Sequence, residues 1–143
     1  MNDKDRILNF LHSHPMATIA TIDQQKSQPE SALIAFAELD NLEIVFETFV
    51  NTRKYNNLQK NNHVALVIGW DTKQYITLQY EGTAKLITGD DVITYRNIFL
   101  AKNTPCTEEF LLDPRVRLFR VSPTWIALSD YTAGKPVITE LSF

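Results

Sequence analysis

The feature that most constrains this chain is a succession of short apolar, β-branched runs separated by brief polar turns. MATIATID, ESALIAFAEL, LEIVFETFV, HVALVIGW, QYITLQYEGTAKLIT, VRLFRVSP and TWIALSDY all carry strand chemistry. The connections DQQKSQP, LDN and DTK suit antiparallel neighbours, whereas parallel neighbours need a crossover of a dozen or more residues. The pattern therefore predicts a meander. Six or seven such strands with two or three helices predict a mainly β chain, an antiparallel barrel with short flanking helices. An open α+β sandwich is the competing arrangement, and the lack of alternating βα units argues against a doubly wound sheet.

The runs differ in character. LEIVFETFV sets Leu42, Ile44 and Phe46 against Glu43, Val45 and Glu47, a period of two. ESALIAFAEL is mostly apolar, which predicts burial on both faces for part of its length. QYITLQYEGTAKLIT reads as one long strand with Gly82 at a bulge or bend, and VRLFRVSP and TWIALSDY read as two separate strands. Ile7, Leu8 and Leu11 recur at helical spacing in DKDRILNFLHSH, with Asp3 as the expected cap and Pro15 as the stop. Thr52 caps a short helix over TRKYNNLQK. Asp90 or Asp91 caps DVITYRNIFLAK, whose Val92, Tyr95, Ile98 and Phe99 share one face, and TEEFLLDP adds a helical turn. The segment YTAGKPVITELSF has a turn signal at Gly134–Pro136 and no assignable partner.

A chain of 143 residues is most simply one domain, 1–143, able to bury a core without staples. Its net charge of −3 disfavours a general nucleic-acid binder. One cysteine, Cys106, allows no internal disulfide, and no apolar run is long enough to span a membrane. The start, MNDKDRILNFLHSHP, does not read as a signal peptide, so a reducing, cytoplasmic setting is the expectation.

Candidates for catalysis are few. His12, His14 and His63 read as helix-end or surface residues, and Cys106 has no evident base. Asp90 and Asp91 are accounted for by capping, and Trp70 and Trp125 by packing. No zinc-hydrolase or serine-hydrolase motif occurs. What stands out is TRKYNNLQKNN. Arg53 and Lys54 fall in the first turn of a helix, where cations oppose the dipole by a few tenths of a kcal/mol each. An anion there would reverse the sign, held by backbone N–H groups, the Thr52 hydroxyl, a guanidinium and an ammonium. A solvated basic helix is the simpler reading of the same residues. Tyr55 and Leu58 form its packing face, and the Asn-rich remainder needs no chemical role.

The run Leu42–Trp70 resembles the flavin-binding core of the pyridoxamine 5′-phosphate oxidase family. The carrying features are Phe46-Glu47-Thr48, Thr52-Arg53-Lys54, Asn57-Leu58 and Asn61-Asn62-His63-Val64. Gly82-Thr83-Ala84 matches the family's Gly-x-Ala, FRVSPTWIALSD resembles the strand pair near its end, and residues 15–131 are covered in order. The resemblance implies a split β-barrel homodimer with FMN at the interface. By position, Arg53 and Lys54 would hold the phosphate with Thr52. Thr48 and Glu47 would line the cofactor, and Leu33, Ile34 and Ala35 would pass along the isoalloxazine. Thr77 stands where the family often has Gln, and Ala32 where it has a phosphate-binding Arg.

On the substrate side Ala37 replaces a Lys. Tyr95 is kept but Phe99 replaces an Arg, and the family's C-terminal Arg-x-His element is missing. These departures imply that the chain is not a pyridoxamine phosphate oxidase in the strict sense. The leading expectation is an FMN-dependent oxidoreductase acting on an unidentified small molecule. A non-enzymatic flavin carrier or stress-related sensor, and a dimeric scaffold without cofactor, are the alternatives. Relatives of this barrel also bind haem or a deazaflavin.

Overall fold

The computed structural model describes residues 1–71 and 73–143, so Thr72, in the expected Asp71–Lys73 turn, lies outside the described residues. The elements run α1 (Asp3–Ser13), β1 (Met16–Asp23), β2 (Gln28–Ala35), β3 (Ala37–Glu38), β4 (Ile44–Phe49), α2 (Arg53–Lys60), β5 (His63–Gly69) and β6 (Ile76–Leu86). They continue with α3 (Asp91–Lys102), α4 (Glu108–Leu111), β7 (Val116–Asp130) and β8 (Val137–Ser142). The strands form one sheet in the order β2-β1-β5-β6-β7-β4-β3, with β8 also on β7. Every pairing is antiparallel. The sheet curls into a split barrel with the short helices around it.

The long strand β7 explains the curl. Its first half, Val116–Val121, pairs with β4, and its second half, Trp125–Asp130, pairs with β8, while β6 runs along the other side. The expected break between VRLFRVSP and TWIALSDY is therefore absent. Pro123 and Thr124 are accommodated at the register shift that faces Glu81 and Gly82 on β6. A Cβ on Gly82 would sit 2.3 Å from the Ser122 carbonyl oxygen, so this crossing needs glycine. The unplaced C-terminal segment is β8, whose register runs from Trp125↔Ser142 to Asp130↔Val137.

Two apolar clusters result. The barrel core contains Ile7 and Leu11 of α1, Ile44 and Phe46 of β4, and Leu78 and Tyr80 of β6. The second, under α3 and α4, contains Val45, Phe99, Leu111 and Leu118. Strand β4 thus feeds both: its even-numbered residues face the barrel and Val45 faces the helices. The simple inside–outside alternation expected for it fails because the second layer covers what would otherwise be the wet face. Strand β2 errs in the other direction. Its outer face is open and Leu33 is 68% exposed, so the expected two-sided burial does not hold. Trp70 likewise stands 53% exposed rather than packed, in edge contact with Tyr75 and Tyr131.

Two caps also differ from expectation. Helix α1 is capped by Asn2, whose side chain accepts from the Asp5 N–H at 2.8 Å, rather than by Asp3. Asp90 precedes α3 but makes no side-chain capping bond. No described helix is long and apolar enough to cross a membrane.

Candidate functional site

Helix α2 starts where sequence chemistry says it should. Thr52 has extended backbone dihedrals, and its hydroxyl oxygen accepts from the Tyr55 N–H at 3.2 Å. The hydroxyl also lies 2.9 Å from the Phe49 carbonyl and 2.9 Å from the Thr48 hydroxyl, which locks the β4–α2 turn. Leu58 anchors the helix by entering the barrel core, a burial worth about 2 kcal/mol. No acidic residue occupies the first turn.

Beside this helix start lies a cleft of about 230 Å³ lined by Thr21, Glu30, Ser31, Ala32, Thr52, Arg53 and Lys54. The Lys54 ammonium is half-buried. Burial lowers its pKa, with the nearby Glu47 carboxylate opposing. Among the described residues Lys54 has no carboxylate within 4.0 Å. Arg53 is differently placed: its Nη1 donates to Glu30 Oε2 at 2.7 Å. The other Glu30 oxygen accepts from Asn57 Nδ2 at 2.9 Å, and the same amide group reaches Thr21 Oγ1 at 3.0 Å.

Glu30 and Asn57 escaped the sequence reading: within the Asn-rich stretch, Asn57 is tied by hydrogen bonds to Thr21 and Glu30. The missed signal was its spacing: Asn57 precedes the core residue Leu58 and follows Arg53 by four, so it must face β1 and β2.

A second, larger cavity of about 600 Å³ lies further along β2. Its lining is mainly apolar, with Met16, Ala35, Phe99 and Phe110, and its polar members include Glu47, Lys102 and Cys106. Glu47 shares the face of β4 that looks toward the second apolar cluster. Burial raises its pKa, with Lys54 opposing. Burial also raises the Cys106 thiol, helped by the Glu47 charge, so it stays protonated and is a poor nucleophile. Lys102 is committed to structure: its Nζ donates to Leu11 O at 2.8 Å and to Glu38 Oε2 at 2.5 Å, and sits 3.9 Å from the Phe36 ring centroid.

Thr52, Arg53 and Lys54 therefore converge on the first cavity. Glu47 and Ala35 line the second, and Thr48 is buried between the two through its bond to Thr52. Leu33 faces outward between them, whereas the Ile34 side chain enters the barrel core and only its backbone borders the outer face. Thr77 lies on β6, three strands along the sheet from β2, and lines neither cavity. Its hydroxyl bonds to the Ile68 carbonyl at 3.3 Å. Of the histidines, His12 pairs with Glu38 at 2.7 Å and His14 with the Phe10 carbonyl at 2.8 Å, both at the end of α1. Among the described residues no three His, Cys, Asp or Glu side chains converge on a metal position.

A phosphate fits the smaller cleft on this donor set: the first-turn backbone N–H groups and an ammonium with no close carboxylate among the described residues, beside a turn that the Thr52 hydroxyl holds in place. Ala32 adds no charge and Glu30 subtracts one. The sequence profile of the family described as Pyridoxamine 5′-phosphate oxidase matches residues 3–130. No curated protein sequence matches the chain. Among solved structures, the heme binding protein from Mycobacterium smegmatis is 12% identical with a TM-score of 0.83, covering 99% of this chain and 58% of its own. General Stress Protein 26 from Bacillus anthracis is 18% identical with a TM-score of 0.71, covering 99% of this chain and 100% of its own. The protein Atu2129 from Agrobacterium tumefaciens is 19% identical with a TM-score of 0.76, covering 86% of this chain. The present chain spans only 54% of the Agrobacterium protein.

Proposed function

The chain belongs to the pyridoxamine 5′-phosphate oxidase family, and from that premise we propose that it is a homodimeric FMN-dependent oxidoreductase whose substrate is not pyridoxamine phosphate. The observation that carries the reading is the cleft at the start of α2, where a half-buried Lys54, unpaired among the described residues, stands beside a capped helix N-terminus. Lys54 would supply the charge for the phosphate and the first-turn backbone its free N–H groups, with Thr52 fixing the turn that presents them. Arg53 would contribute through whatever part of its guanidinium Glu30 leaves free. The outer face of β2 at Leu33–Ala35, with Glu47 and Thr48 at its end, would support the ring. When bound, the flavin supplies hydride or electron acceptance.

The larger cavity is the matching place for a substrate. Its walls are mainly apolar, and Glu47 is the acid in its lining whose pKa burial raises, so it can hold or release a proton at its carboxyl oxygen. Ala37, buried where a substrate-binding Lys would be needed, and Phe99, buried in the second cluster, leave Lys102, already committed to Glu38, as the cation in that cavity's lining, short of what a phosphorylated substrate requires. The homodimer is supported by the open apolar face around Leu33 and Val67 on β2 and β5.

The test is the absorption spectrum of the purified protein, followed by FMN titration of wild type and Lys54→Ala. Flavin bands, and affinity about tenfold weaker in the variant, are the expected result. Colourless protein that takes up no FMN, or a Soret band in place of flavin bands, overturns the reading. A haem ligand has its own support in the Mycobacterium neighbour and the large apolar cavity, and the Soret band is what separates the two. Flavin bands without turnover on any reductant would leave a flavin carrier instead of an enzyme.

A further inference from the structure

Glu30 is an unusual neighbour for an anion. It lines the cleft, its side chain is only 9% exposed, and both of its oxygens are engaged. The anchorage is one-sided. Asn57, buried and itself held by its bond to the buried Thr21 on β1, fixes the carboxylate to α2, while the Arg53 side chain it binds is 74% exposed and reaches it through a single nitrogen. The carboxylate is the fixed partner and the guanidinium the movable one.

We propose that Glu30 sets the phosphate affinity of this cleft by holding the Arg53 guanidinium against the cleft wall, so that the ligand is gripped by Lys54 and the helix start and remains exchangeable. The charge count supports this. Two cations face the cleft, and Glu30 offsets one of them, leaving a net of one. A doubly charged phosphate entering there meets Glu30 as a repulsive wall and must compete for Arg53 with a carboxylate already in place at 2.7 Å. Replacing the carboxylate with the isosteric amide removes the repulsion, frees the guanidinium, and keeps an oxygen for Asn57 to bond. The gain scales with ligand charge, so an uncharged ligand of the same shape gains nothing.

The identity of the ligand rests on the flavin reading above; the sign of the Glu30 effect does not. The experiment titrates FMN, riboflavin and inorganic phosphate into wild type, Glu30→Gln, Arg53→Ala and the double variant, with thermal melts confirming that each is folded. Glu30→Gln is expected to bind FMN and phosphate about five- to tenfold tighter, with riboflavin unchanged. Arg53→Ala alone is expected to change FMN affinity by less than about threefold, and to remove most of the gain in the Glu30→Gln background. Equal or weaker anion binding by a folded Glu30→Gln overturns the proposal, as does an equal gain for riboflavin. If phosphate shows the gain and no protein binds FMN, Glu30 keeps its role and the flavin reading falls. If FMN binds and Glu30→Gln gains nothing, the reverse holds.

Discussion

At the scale of single residues, the charges inside this protein divide into those that are spent and those that are available. Lys102 is spent. Burial pushes the Glu38 carboxyl up, but the Lys102 ammonium and His12 outweigh it and hold the carboxyl below its usual range. Burial also lowers the Lys102 ammonium, with Glu38 opposing, so charging the lysine costs something at every pH below its own titration. The acid limb is governed by Glu38. Because its folded pKa is depressed, its stabilisation is present above the ordinary carboxylate range and is lost as pH falls through the folded value. Lys102→Met should destabilise the fold by about 2 kcal/mol and move acid unfolding to higher pH, both read from denaturant titrations at several pH values. Equal acid midpoints would show that the pair is not what stabilises Glu38. Lys54 is the counterpart: half-buried and with no carboxylate within 4.0 Å among the described residues, it is the cation the proposed phosphate site relies on. Sequence could locate Lys54 through the Thr-Arg-Lys order. It could not locate Glu30, whose meeting with Arg53 depends on the β1–β2 hairpin folding back on α2.

At the scale of elements, legibility followed the number of layers covering each strand. Runs whose covering is local, such as the α2 helix with its Thr52 cap, could be read from spacing alone. Strand β4 could not, because the helices that cover its second face lie some fifty residues later in the chain. Strand β2 read as buried because its apolar residues were assumed to face protein, whereas Leu33 faces outward. Strand β7 read as two strands because Pro123 is a poor central-strand residue; the register shift beside Gly82 is what accommodates it. That crossing is testable. Gly82→Ala places a methyl 2.3 Å from the Ser122 oxygen and 3.0 Å from Val121 Cγ1, and should cost about 3 kcal/mol. Gly89→Ala meets no atom within 4 Å and carries only the strain of its positive φ, about 1 kcal/mol. Paired urea titrations of the two variants would show whether close approach outweighs backbone strain.

At the scale of the whole molecule, the split barrel leaves one broad face without cover. Directly opposite residues Leu33, Thr18 and Val67 stand in a row across β2, β1 and β5, with Leu33 and Val67 the large apolar members. In the proposed dimer this row meets its copy. Val67→Glu, a change on the outer face of β5 that leaves the barrel core untouched, should shift the sedimentation profile from dimer to monomer at micromolar concentration. A wild type that sediments as a monomer would remove this face from the argument.

The strand that closes the other side has a different consequence. The family match ends at residue 130, and β8 begins at Val137, pairing with the stretch of β7 that contains Trp125, Ile126, Ala127 and Leu128. Without that partner, a straight apolar run would present a free row of amides and carbonyls to other molecules, the geometry from which cross-β aggregates grow. Strand β8 thus covers the apolar half of β7 and moves the free edge onto a strand whose Glu140 and Ser142 are exposed to solvent, a more polar edge than the one it hides.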